Sequence, residues 1–243
     1  MSKALVVIPT YNELENIEGL LRNIISLQHE FDVLIVDDNS PDGTAGLVKN
    51  QMKAFPGRFF LLERPGKLGL GSAYIAGFKW ALKRDYPYVF EMDADHSHSP
   101  NDLIYLLNAC ESDGFDMAIG SRYVTGVNVV NWPMGRVLMS WLASRYVRLI
   151  TGMKIYDTTA GFICYRREIL EKINLDKIRF VGYAFQIEMK YKAYLSEFKI
   201  KEVPVIFTNR TKGESKMSSG IISEAIFGVI TMRIKSLFNS LDI

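Results

Sequence analysis

Residues 88–100 read YVFEMDADHSHSP. A short apolar run from Tyr88 to Met92 has the composition of a buried strand, and Ser99-Pro100 is a helix-start signal. Between them lies Asp93-Ala94-Asp95. Two carboxylates at i and i+2 beyond a strand end can both turn toward one divalent ion, and their hard oxygens suit Mg²⁺ or Mn²⁺. A plain turn built on Asp and Ser is the simpler reading of the same letters. A second acidic strand end, Asp37-Asp38, raises the triplet above that reading. His96 and His98 flank Ser97 in this loop and read either as metal ligands or as solvated loop residues.

The same grammar runs outward in both directions. Ala4 to Pro9 (ALVVIP), Asp32 to Asp37 (DVLIVD), Phe59 to Glu63 (FFLLE) and Asp116 to Gly120 (DMAIG) read as further strands. Glu13 to Leu27 carries Leu14, Ile17, Leu20, Leu21, Ile24 and Ile25 on one helical face. Buried strands alternating with helices predict an α/β fold with a mostly parallel central sheet flanked by helices. Ligands then bind at the carboxyl ends of the strands. The loops there read PTYNE, DDNSPDGT, PGKLGLGSA and DADHSHSP, and three of the four carry carboxylates, which predicts an acidic cleft facing a cation.

GLGSAYIAG at residues 69–77 resembles a dinucleotide fingerprint but stands in the wrong place. That fingerprint follows the first strand and precedes its ribose acid. A tight turn entering a helix is the better account. In the second half, Met134 to Gly152 and Tyr183 to Ser196 read as helices and Lys199 to Phe207 as a strand. Thr208 to Met217 reads as a loop, and Ser219 to Leu241 as a helix. Residues 1–217 are read as one domain and residues 218–243 as a C-terminal amphipathic helix facing a membrane or a partner.

Composition bounds the function. The chain has 243 residues, 48% hydrophobic and 23% charged, as in ordinary globular proteins. A net charge of +2 is too small to argue for a nucleic acid partner. Cys110 and Cys164 lack CxxC spacing, so neither a zinc site nor a disulfide framework is expected. The longest stretch without a charged residue, residues 123–135, is too short to span a bilayer, and the N-terminus does not read as a signal peptide. A cytoplasmic protein held peripherally on the cytosolic face of a membrane is the expectation.

Residues 117–156 contain no Asp or Glu but hold Arg122, Arg136, Arg145, Arg148 and Lys154 among Tyr123, Trp132, Trp141 and Tyr146. That bias fits an anionic substrate or a membrane surface. An ordinary amphipathic helix with aromatics in the core would read alike. Arg210, Lys212 and Lys216 gather around Gly213, as in a phosphate-capturing loop or a solvated hairpin tip. The apolar arc of the C-terminal helix either packs on the domain or lies in a lipid interface with Arg233 reaching to water.

The motifs VVIPTYNE, VDDNSPDGT, KLGLGSAY, EMDADHSHSP, GSRY, DTTAGF, FQIEM and NRTKGESKM follow one another from Val6 to Met217. In them the chain resembles family 2 glycosyltransferases, and more closely the catalytic domain of polyprenol-phosphate (dolichol-phosphate) mannosyltransferases. His96 stands where that family usually has leucine, and Ser99 where it has histidine or proline. The resemblance implies a GT-A fold and inverting, metal-dependent transfer of mannose from GDP-mannose to a polyprenyl phosphate. By motif match, Pro9, Tyr11, Glu13, Val36 and Asp38 would hold the base and ribose. Asp93, Ala94 and Asp95 would hold the diphosphate and Mg²⁺ or Mn²⁺, with Ser97 as a further metal contact. Arg122 and Arg136 would meet the acceptor phosphate, and Arg210 and Lys216 would close on the donor phosphates. The implied partners are the nucleotide sugar, the lipid phosphate, a membrane surface and a small membrane-anchoring protein, with no nucleic acid. Two readings compete: transfer of another sugar from a UDP-sugar, and a non-catalytic nucleotide-sugar or adaptor module.

Overall fold

The computed structural model describes residues 3–182, 184–209 and 219–238. Its strands are β1 (Ala4–Thr10), β2 (Phe31–Asp37), β3 (Phe59–Glu63), β4 (Tyr88–Glu91), β5 (Met117–Ser121), β6 (Val129–Val130), β7 (Ile163–Arg166), β8 (Ile200–Pro204) and β9 (Phe207–Thr208). Its α-helices are α1 (Leu14–Ile25), α2 (Thr44–Ala54), α3 (Leu70–Leu82), α4 (Asp102–Glu111), α5 (Met134–Thr151), α6 (Arg167–Lys172), α7 (Ala184–Leu195) and α8 (Ser219–Leu237). Seven strands form one sheet in the order β3-β2-β1-β4-β7-β5-β8, and β6 pairs with β9 apart from it. Every pairing in the large sheet is parallel except those of β7, which runs against both β4 and β5.

The continuous apolar runs are explained by burial on both faces. Along β1, Leu5 and Val7 point into a core shared with α3, α7 and α8, while Ala4, Val6 and Ile8 point into a second core with α1 and α4. In α1, Ile17, Leu20, Leu21 and Ile24 are fully buried, at the spacing that gives one helical face. Each such side chain contributes about 1.5–3 kcal/mol of burial. The glycines of GLGSAYIAG serve packing. Gly69 takes φ +99° at the start of α3, and a side chain on Gly71 would meet the Phe185 ring at 2.7 Å. A side chain on Gly77 would collide with Val7, so α3 lies directly against β1.

The stretch from Lys199 to Phe207 is not one strand. Pro204 ends β8 because it has no N–H to continue the ladder. Val205 N then donates to the Ser121 carbonyl, and the chain steps away so that β9 pairs with β6. The reversed strand β7 is a further element of the second half, with no separate signal in its four residues, ICYR.

Candidate active site

Parallel β1, β2, β4 and β5 send their following loops to one edge of the sheet. Because β7 runs the other way, the segment before it, residues 157–161, reaches the same edge. This reversal brings Asp93, Asp95, Arg122, Thr159 and Gly161 around one cavity of about 500 Å³. The loops after β1, β2 and β4 each contain a left-handed residue: Asn12 (φ 56°), Asn39 (φ 57°) and His96 (φ 58°). Asn tolerates that region because its short polar side chain bonds locally. His96 is fixed there by its ring, which donates from Nε2 to the Asn16 carbonyl at 3.0 Å.

The acidic triplet is held from two sides. The Tyr74 hydroxyl donates to Asp93 Oδ1 at 3.2 Å, and the Ser97 N–H donates to Asp95 Oδ1 at 3.1 Å. Ala94 is buried between them. Ser97 Oγ is buried with no hydrogen-bond partner among the described residues. Two carboxylates and a hydroxyl without a partner are a hard-oxygen set that fits Mg²⁺ or Mn²⁺. Among the described residues no third His, Cys, Asp or Glu joins them. Sites for these ions commonly take substrate phosphate oxygens as the remaining ligands. His98 stacks on Phe162 at 4.7 Å and meets Phe207 edge-on at 5.0 Å. Burial pulls its pKa down to about 4, so the ring is neutral near pH 7.

The basic side of the cavity comes from the acid-free segment. Arg122 donates through Nε and Nη2 to Asp157 at 2.7 and 2.6 Å and through Nη2 to Thr159 Oγ1 at 2.9 Å. Burial alone would raise the Asp157 pKa, but the Arg122 charge and hydrogen bonds outweigh it and hold the carboxyl below its ordinary range. Arg136 lies over the Trp132 ring at 4.1 Å and donates to Asn209 Oδ1 at 2.9 Å. Trp132 Nε1 is a buried donor with no hydrogen-bond partner among the described residues. Thr208 N donates to the Ser97 carbonyl, so the chain leading to residue 210 is tied to the acidic loop. Arg210, Lys212 and Lys216 lie outside the described residues.

At the carboxyl ends of β1 and β2, Pro9 and Tyr11 are partly exposed and Lys67 lies 5.2 Å over the Tyr11 ring. Glu13 accepts from Asn16 Nδ2 at 2.8 Å. The Val36 side chain is fully buried in the core, which leaves it no surface for a ligand. Both oxygens of Asp38 are spanned by Arg64, at 2.6 and 2.8 Å. Sequence reasoning assigned no role to Arg64, Trp132, Asp157, Thr159 or Gln186. DTTAGF and FQIEM were the only signals for the last three.

Behind the acidic loop, Glu91 is fully buried and accepts from the Tyr165 hydroxyl at 2.7 Å and from Gln186 Nε2. Burial pushes its pKa up. Lys190, also fully buried, donates to the Ala160 carbonyl at 2.6 Å, and burial pushes its pKa down. The cavity is also lined by Met139, Leu142, Ala143, Tyr146 and Val147 of α5 and Ile226 of α8. Helix α8 packs on the domain through Val229 and Met232, and Arg233 reaches the Tyr191 hydroxyl at 3.4 Å. Phe227, Ile234 and Leu237 of α8 and the following Phe238 are exposed, as are Met134, Leu138 and Leu149 of α5. No helix among the described residues is long and apolar enough to cross a membrane.

Comparison with known proteins agrees with this geometry. The family model described as glycosyl transferase family 2 matches residues 5–174. A polyprenol monophosphomannose synthase of Mycolicibacterium smegmatis is 47% identical over 93% of this chain and 85% of its own length. An undecaprenyl-phosphate mannosyltransferase of Micrococcus luteus is 44% identical over 93% and 92%. Among solved structures, glucosyl-3-phosphoglycerate synthase of Mycobacterium tuberculosis with phosphoglyceric acid superposes with a TM-score of 0.67 at 17% identity, over 96% of this chain and 80% of that one. The mannosyltransferase PcManGT of Pyrobaculum calidifontis, in complex with GDP-Man and Mn²⁺, gives 0.60 at 17%, over 98% and 74%. The solved structures share the fold, the two curated relatives share most of the sequence, and the chain therefore belongs to glycosyl transferase family 2, as a glycosyltransferase of GT-A fold.

Proposed function

We propose that this glycosyltransferase moves mannose from GDP-mannose to the phosphate of a polyprenyl monophosphate. The carrying observation is one cavity lined by two chemically opposite sets of side chains. Asp93, Asp95, Arg122 and Arg136 form the charged set, and Met139, Leu142, Val147 and Ile226 the apolar set. A polyprenyl phosphate has the same profile, an anionic head on an apolar chain. A polar small-molecule acceptor would gain nothing from the apolar wall. The names of the two curated relatives support the mannosyl group and the lipid phosphate, and the GDP-Man bound to PcManGT supports the donor.

The chemistry follows from charge. A phosphate monoester has a second pKa near ~6, so at pH 7 the acceptor is largely a dianion and needs no general base. It must be drawn toward an anionic donor. Arg136, Arg122 and the Trp132 N–H supply positive charge and a hydrogen-bond donor on the acceptor side. The buried Asp157 keeps the Arg122 fork in one orientation. Pro9, Tyr11, Glu13 and the Arg64-clamped Asp38 would flank the nucleoside. Mg²⁺ or Mn²⁺ held by Asp95, Asp93 and Ser97 would offset the charge that grows on the leaving diphosphate. In-line attack on the anomeric carbon inverts it, converting an α-linked donor into a β-linked product. The exposed apolar side chains of α5 and α8, helices that also line the cavity, would rest on the membrane that holds the lipid.

Two substitutions separate the roles. Asp95→Ala should lower turnover by about 10²–10³-fold or more in a protein that stays folded by circular dichroism. Arg136→Ala should lower kcat/KM for the lipid phosphate by about 10–100-fold and leave the Kd for GDP unchanged. Full activity in the first variant, or unchanged acceptor kinetics in the second, contradicts the assignment.

A further inference from the structure

Gln186, in the first turn of α7, is only 3% exposed, yet it lines the cavity beside Asp93, Asp95 and Gly161. Its amide is not free to turn. Nε2 donates to one oxygen of the buried Glu91 carboxyl, whose other oxygen accepts from the Tyr165 hydroxyl. The opposite edge of the amide is therefore the carbonyl. Oε1 is buried and has no hydrogen-bond partner among the described residues. A buried acceptor left unmatched costs about 1–3 kcal/mol. Such a cost is offset when an ordered water or a bound ligand supplies the donor.

The substrates in the proposed function limit what that donor is. Phosphate and diphosphate oxygens at neutral pH are acceptors, and a polyprenyl chain has no polar hydrogen. The nucleoside belongs at the ends of β1 and β2, away from this wall. Among the substrate groups, what remains is a hydroxyl of the transferred sugar, held next to the carboxylates that flank the diphosphate. Trp132 Nε1, a donor without a partner among the described residues, lies instead under Arg136, on the phosphate side.

We propose that Gln186 is a specificity-determining residue whose Oε1 accepts a hydrogen bond from one hydroxyl of the transferred sugar, its amide oriented by Glu91. The inference rests on the proposed function and identifies the part of that site that reads the sugar.

The test is a double-mutant cycle between residue and hydroxyl. Wild-type protein, Gln186→Leu and Gln186→Met are assayed with GDP-mannose and its 2-, 3-, 4- and 6-deoxy analogues, with polyprenyl phosphate as acceptor. The wild type should lose about 10–100-fold in kcat/KM at one position, the span expected when a buried acceptor loses its donor. Both variants should lose a similar factor with GDP-mannose, show no further loss with that one deoxy donor, and keep the remaining penalties. The Kd for GDP, which lacks the transferred sugar, should not move. Deoxy penalties in the variants equal to those of the wild type at every position overturn the role of Gln186 alone. If neither variant folds, the wild type still decides, because no deoxy penalty above about threefold overturns the inference. Absence of any transfer from GDP-mannose by the folded wild type defeats the functional reading and this inference with it.

Discussion

Arg122 and Asp157 form the most heavily buried ion pair near the cavity, with side-chain exposures of 9% and 0%. Removing one partner of such a pair leaves an uncompensated buried charge, at a cost of about 3–5 kcal/mol. Asp157→Ala should therefore lose about that much stability in urea denaturation near pH 7. The sign with pH follows from the lowered Asp157 pKa. Its contribution is complete above the ordinary aspartate pKa and is lost as pH falls through the depressed folded value. The wild type should lose stability on that acid limb, and the variant should lack this part of the loss. Equal stability of the two proteins at neutral pH contradicts the pairing. At this scale the sequence was half legible. Asp93 and Asp95 were readable because chemistry and position after a strand occur in one stretch. Arg122 was readable from GSRY, but its partner is 35 residues away, and no local pattern links them. Gln186 was visible only as a letter of FQIEM. Its significance lies in an unsatisfied atom, which exists only once α7 is packed on Glu91.

At the scale of elements, the strands of the first half were legible because burial on both faces leaves continuous apolar runs. The second half was harder for identifiable reasons. β7 is four residues long, too short to carry a period, and its reversed direction is a tertiary fact. β8 and β9 read as one strand until Pro204 and the turn back to Ser121 divide them. The acid-free stretch divides its residues between core and cavity. Tyr123 and Val147 are core residues, while Arg136 and Trp132 face the cavity. Leu149 and Phe227 are 82% and 70% exposed, one on each of the paired helices α5 and α8. If these side chains rest on lipid, Leu149→Gln with Phe227→Gln should lower partitioning onto phosphatidylcholine–phosphatidylglycerol vesicles by at least about tenfold, since ~1.4 kcal/mol is one decade. Thermal stability should hardly change, because neither side chain is in the core. Flotation with vesicles reads the result, and unchanged partitioning of the double variant contradicts the membrane role.

Across the whole molecule, one topological choice assembles the site. Parallel strands carry the nucleotide loops and the acidic triplet to a common edge, and the reversal of β7 adds Asp157 and Thr159 beneath Arg122. Helices α5 and α8 then wall the cavity with apolar side chains. In the proposed function, one cavity thereby offers charged side chains to the anionic donor and apolar ones to the chain of the lipid acceptor. The most direct measurement offers purified protein, Mg²⁺ or Mn²⁺ and a polyprenyl phosphate in detergent two labelled donors in separate reactions, GDP-mannose and UDP-glucose. Label is then counted in the organic phase. Transfer from GDP-mannose alone is the predicted result. Label from UDP-glucose alone, or from neither donor, would contradict it.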